Sequence, residues 1–139
     1  MEFDQMGPGQ LEVHGKWPEL RGQHCDACIA EEYWFEGTLE VPANVVWLRA
    51  GATWHRLVID CGIVFWSTRV AGPEAYEMPE LRAEVRLRDL GRELAMAGET
   101  IEEIAGAPAS GGVDVWIVFR SGRRVTFRDR DDHTTWLVC

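Results

Sequence analysis

Val113-Asp114-Val115-Trp116-Ile117-Val118-Phe119 is the stretch that decides the fold class. Val113, Val115, Ile117 and Phe119 share one parity, the two-residue period of a strand with one face on a core. Ser121-Gly122 turns the chain, and Val125 and Phe127 return on the same period. Asp131-Asp132 supplies another turn, after which residues 134–138 close a three-stranded antiparallel meander.

Upstream, residues 106–112, GAPASGG, read as a connector. They are glycine-rich, but no Gly-Lys-Ser/Thr follows, so they do not form a phosphate loop. Residues 99–104 fit strand or helix equally. Leu90, Leu94 and Ala95 allow a short helix before Gly98, and Ala83, Val85 and Leu87 alternate with Glu84, Arg86 and Arg88 as a half-exposed strand. Residues 71–80 hold two prolines and read as a loop. Ile63 to Ser67 is apolar on both parities, which predicts a central strand covered on both faces. Trp54–Asp60, Val45–Arg49 and Thr38–Val41 supply further strands, with Leu57, Ile59 and Cys61 expected on one face.

Asp26 is placed to cap a short helix carrying Ile29, Tyr33 and Trp34 on one side and ending at Gly37. Residues 1–22 form an irregular arm rich in Gly and Pro, pinned by Trp17 and Leu20. Residues 23–139 form a single globular domain. The fold class is therefore α+β: mainly antiparallel β-sheet built from hairpins and a C-terminal meander, with one or two short helices.

An apolar fraction of 46% in 139 residues supports one packed domain. The net charge of −9 disfavours nucleic acid and anionic lipid. That charge is uneven. Residues 1–45 carry nine acids against Lys16 and Arg21, while residues 81–139 carry ten acids against nine arginines. No apolar run has the length of a membrane span, and the start MEFDQMGPGQ is not a secretory signal. A reducing cytoplasm, with the four cysteines as free thiols, is the expected setting.

The motif Gln23-His24-Cys25-Asp26-Ala27-Cys28 has the two-residue gap of half a zinc site. The other half is missing in its usual form. Candidate ligands are His24, His55 and Cys61, or His14, His133 and Cys139 from the ends, and about 20 Å of extended strand would separate His55 from Cys61. The structural alternative is that Cys28 is a small buried apolar residue. A redox role would place Cys25 at a helix N-terminus, but Asp26, Glu31 and Glu32 oppose a thiolate.

The three serines lie outside any nucleophile elbow, and Arg128-Asp129-Arg130-Asp131-Asp132-His133 lacks the ligand series of a calcium loop. His55 is the best lone general-base candidate, with no partner visible in the sequence. Arg124, Arg128 and Arg130 share parity, as do Arg82, Arg86 and Arg88. Neighbouring strands would make an arginine-rich face, against the plainer reading of solvated charges paired with Glu84, Asp129 and Asp131.

No motif resembles a known family closely enough to lend its function. With no catalytic set assembled, the leading expectation is a small acidic protein-binding or inhibitory protein, such as a bacterial immunity-type protein that neutralises a toxin. It would need no cofactor and would meet a partner protein with a basic surface through Glu31, Glu32, Tyr33, Trp34 and Glu36. In the structural alternative Tyr33 and Trp34 pack inward. The other functional readings are a zinc-binding or redox domain using Cys25 and Cys28, and a structural subunit of a homo-oligomer.

Overall fold

A computed structural model describes residues 11–139. Eleven strands and one short helix follow in the order β1 (Val13–His14), β2 (Cys25–Phe35), β3 (Thr38–Ala50), β4 (Thr53–Asp60), β5 (Ile63–Arg69), β6 (Tyr76–Met78), β7 (Ala83–Asp89), α1 (Leu90–Glu93), β8 (Ile101–Ala109), β9 (Gly112–Phe119), β10 (Arg124–Arg130) and β11 (His133–Val138). They form two sheets, ordered β1-β5-β4-β3-β2-β7-β6 and β11-β10-β9-β8. All pairings are antiparallel except β1 with β5. The fold is β-rich, mainly antiparallel, with one short helix among the described residues.

The C-terminal meander follows the parity of its sequence. Val113, Val115, Ile117 and Phe119 of β9 and Val125 and Phe127 of β10 are buried. They pack on Ala30, Val46, Leu48, Leu57, Ile59, Val64 and Trp66 of the larger sheet, forming one core between the two sheets. The face of each sheet turned to this core is called inner below.

Four expectations need correction. Residues 25–35 form no helix: they are β2, paired with β3 on one side and β7 on the other. Apolar and aromatic residues occur on both parities here, so the sequence period is ambiguous, and two flanking strands decide it. The supposed connector 106–112 is mostly the end of β8 and the start of β9, joined through Ser110-Gly111. β8 is an edge strand, where Pro108 costs no ladder bond on its open side.

Third, β5 is not central. Only the two residues of β1 lie beyond it, and its outward Phe65 is covered instead by His14, whose ring stacks at 5.0 Å. Fourth, Cys61 does not continue the buried row of Leu57 and Ile59. It is exposed, with φ 52°, in the two-residue turn Cys61-Gly62.

The arm is docked from residue 11 onward; its first ten residues lie outside the described ones. Trp17 donates its indole N–H to the Ile104 carbonyl at 2.7 Å and meets Trp66 edge-on at 5.7 Å, and Leu20 is buried. Strand edges are blunted: β1 has two residues, β6 has three and runs into Pro79, and β8 carries Pro108. No helix among the described residues is long and apolar enough to cross a membrane.

At one end the sheets are tied by polar contacts. Asn44 of β3 donates to the carbonyls of Ile59 and Asp132 and accepts from the Thr134 N–H at 2.9 Å. Close by, Asp129 is fully buried: one carboxylate oxygen accepts from the Thr134 hydroxyl, while Oδ2 has no partner. Burial, and then Asp132 and Asp131, push its pKa up; the Thr134 hydroxyl and Arg130 pull the other way. The folded state thus holds this proton to higher pH than the unfolded chain. Stability falls as pH rises from the ordinary carboxylate range through the raised folded value, and is flat above it. Asp129→Asn is expected to remove that fall, so its advantage in melting temperature over the parent grows with pH across that window. Parallel profiles for the two proteins would refute the assignment.

Candidate functional site

Alternation along β2 divides the predicted contact patch between two faces. Ala30 points into the core, so Glu32 and Trp34 lie on the inner face, and Glu31, Tyr33 and Phe35 lie on the outer one. Glu32 is 8% exposed, accepts from the Trp34 indole N–H at 3.1 Å and stands 3.5 Å from Arg88. Glu36, in the β2–β3 turn, pairs with Arg82 at 3.1 Å. Glu31 accepts from the Trp47 indole at 2.6 Å. The three glutamates are engaged within the protein, and Trp34 packs toward its own inner edge.

Trp34 is one case of a wider arrangement. Arg86 lies over Trp34 at 4.0 Å, Arg88 over Trp136 at 4.8 Å and Arg124 over Trp116 at 5.0 Å. Arg56 lies over Trp47 at 5.6 Å and Arg49 over Trp54 at 5.9 Å. The remaining two tryptophans, Trp17 and Trp66, pack on each other. Guanidinium planes therefore sheathe the rings that the core does not take. This accounts for many of the arginines without an external partner. β7 and β10 lie in different sheets, so their arginines do not merge into one face. Arg86 pairs with Glu84, Arg88 with Glu93, and Arg128 and Arg130 with Asp114.

What remains open is the outer face where β2, β7 and β6 adjoin. Register places Tyr33, Val85 and Tyr76 in one cross-strand row, Phe35, Ala83 and Met78 in the next, and Glu31 beside Leu87. Phe35, Tyr76 and Leu87 are 39%, 51% and 38% exposed. Leu81, just beyond β6, is also exposed. Glu74 and Glu80 on the same segment are exposed and have no ion-pair partner among the described residues, while Glu77, opposite Glu84, turns to the other face. Apolar side chains with unpaired acids alongside make a face suited to a large partner.

The thiols take a different position. Cys25 and Cys28 are both fully buried on β2. Burial, followed by the Asp26 charge, pushes the Cys25 thiol up to about 12, and burial raises Cys28 as well. Both environments favour the neutral thiol over the thiolate that disulfide exchange needs. His24 meets the Thr100 hydroxyl at 3.2 Å. His55 is half-buried, its pKa lowered by desolvation, in a cavity lined by Trp17, Gln23, Thr53 and Thr68. Among the described residues Cys25, Cys28, His24 and His55 join no three-ligand cluster. Cys61 does: its sulfur and one oxygen each of Asp60 and Asp132 lie within 4.8 Å of one another, all exposed. Asp132 accepts from the Cys61 N–H at 3.0 Å, so this group ties two turns together.

Sequence reasoning reached Glu31 and Tyr33 but missed Phe35, Tyr76 and Leu87. The signal available was the acids interleaved with Tyr76 and Leu81; residues 71–80 are expected as a loop, but Tyr76–Met78 form β6 on the edge of β7. No family model matches the chain, and no curated protein or solved structure is similar to it.

Proposed function

We propose that the protein is a protein-binding, inhibitory-type module of the immunity class. Its contact face is the outer surface of β2, β7 and β6. The observation that carries this reading is the set of exposed apolar side chains, Phe35, Tyr76 and Leu87, with the unpaired Glu74 and Glu80 on the adjoining segment. Acids without internal partners steer a basic surface by long-range attraction, and the rings supply the area that becomes dry on contact. Of the expected patch, this reading keeps Glu31 and Tyr33, leaves out Glu32, Trp34 and Glu36, and adds Phe35 and the neighbouring strands.

Capture from the native cell with the parent protein and with a Tyr76→Ala, Leu87→Ala variant tests the proposal. A basic protein whose purified form is inhibited by the parent is expected. Truncation of a central aromatic anchor costs about 2 kcal/mol or more, so the double variant should bind roughly thirtyfold more weakly or worse. Glu74→Gln and Glu80→Gln should slow association and flatten its salt dependence. Capture indifferent to Tyr76 and Leu87, or self-association as the sole result, would refute the reading.

A further inference from the structure

Eight of the thirteen arginines pair with a carboxylate: Arg21, Arg82, Arg86, Arg88, Arg120, Arg123, Arg128 and Arg130. In a chain of net charge −9 this is the easy outcome, since acids outnumber bases. Three of the five exceptions sit together on the outer face of β3, β4 and β5. Register puts Arg49, Trp54 and Arg69 in one cross-strand row and Trp47, Arg56 and Ser67 in the next. Cations and indoles thus alternate across β3 and β4 as on a checkerboard, with Ser67 in an indole's place on β5. Arg56 lies over Trp47, Arg49 lies over Trp54, and the Arg69 Nε–H donates to the Ser67 hydroxyl at 3.2 Å. None of the three has an acidic partner among the described residues.

Part of this board is roofed. The connection from β5 to β6 crosses the outer face and borders an open cleft of about 490 Å³, lined among others by Glu31, Trp47, Arg56, Arg69, Glu74 and Tyr76. The roof sits close because residue 72 is glycine: a Cβ there would lie 2.7 Å from the Trp54 ring. A second groove of about 440 Å³, running to His14 and Phe65, shares Arg56 and Arg69 as its wall. The two guanidinium groups therefore border both spaces, and their unused donors have no acceptor among the described residues.

We infer that this cleft binds a small organic anion, a carboxylate or phosphate held by Arg56 and Arg69, with its body along the cleft beside Pro73 and Tyr76. Guanidinium groups grip such oxyanions through paired, charge-assisted hydrogen bonds. The volume is that of a small-molecule site. A polyanion such as a nucleic-acid strand fits poorly, because Glu31 lines the same cleft and the molecule as a whole is acidic. The site shares Glu31, Glu74 and Tyr76 with the proposed protein-binding face, so it is read on the isolated protein and through Arg56 and Arg69, which that face does not use.

The test is titration of tryptophan fluorescence with three probes: inorganic phosphate, phenyl phosphate and benzoate. Saturable quenching by phenyl phosphate or benzoate is expected, at least about tenfold tighter than by inorganic phosphate. Arg56→Gln with Arg69→Gln should weaken it by roughly tenfold or more. Arg124→Gln should leave it unchanged, because Arg124 caps Trp116 on the other sheet. Should the double variant fail to fold, amide and indole NMR shifts of the parent keep the question open to refutation: they must change at Trp47, Arg56 and Arg69. Absence of saturation with all three probes, unchanged binding in a folded double variant, inorganic phosphate binding as tightly as its phenyl ester, or shifts elsewhere would each overturn the inference.

Discussion

Phe127→Ala is expected to lower stability by about 3–5 kcal/mol, the range for deleting a buried ring that its surroundings cannot replace. Phe127 has no exposed surface and faces the core from the middle of the four-stranded sheet, between Val115 of β9 and Trp136 of β11. Its strand is paired on both sides, so neither neighbour can move inward without breaking a ladder. A domain of ordinary stability holds about 5–15 kcal/mol in total, so this single change removes a large share of it. The melting midpoint should fall on the order of 10–20 °C. Val138→Ala, on an exposed residue of β11, should fall within about 0.5 kcal/mol and serves as the comparison. A loss below about 1 kcal/mol at Phe127 would mean that the two sheets do not share the core described here.

The same residues show why part of the fold was legible in the sequence. Val113, Val115, Ile117, Phe119, Val125 and Phe127 bury one face and leave charged or polar residues on much of the other, so the period is visible and the meander follows from it. The short helix was legible for a similar local reason. Asp89 accepts from the Arg92 N–H at 3.0 Å, and Leu90 fills the core beneath. Local rules suffice where a segment's own pattern names its face.

β2 had no such pattern. Cys28, Ala30 and Trp34 on one parity and Ile29, Tyr33 and Phe35 on the other are all apolar or aromatic, so a helix and a strand bury them equally well on paper. The difference lies in β3 and β7, which supply hydrogen-bonding partners on both edges, and β7 is distant in sequence. Candidate contact residues were obscured by the same distance. Tyr33 meets Tyr76 only across Val85, through a register that no local signal encodes. The thiol pair is ambiguous for a complementary reason: the spacing of Cys25 and Cys28 is shared by metal sites and by buried strands, and their full burial on β2 is set by neighbouring strands that the motif does not encode.

Gly112→Ala carries the other large expected effect, by addition of an atom where Phe127→Ala removes several. A Cβ on Gly112 would lie 1.9 Å from the carbonyl oxygen of Asp129 and 2.6 Å from its carbonyl carbon. Both are backbone atoms of β10, so no rotamer change relieves the contact. Gly112 pairs with Arg130, and Val113 with Asp129, and moving β10 away opens that ladder at the end far from the turn joining β9 to β10. It also disturbs the Asp131 N–H bond to the Gly111 carbonyl, and with it the turn that presents Asp132 to Asn44 and Cys61. The expected cost is about 3 kcal/mol or more, the upper end for overpacking a tight interior. Gly111→Asn separates this clash from the conformational freedom of glycine. Gly111 has φ 82°, which Asn tolerates, and the nearest atom to its Cβ would be 3.7 Å away. Its loss should stay below about 1 kcal/mol. Chemical denaturation of the two variants decides the point: equal losses would show that backbone flexibility, and not the approach of β9 to β10, is what residue 112 supplies.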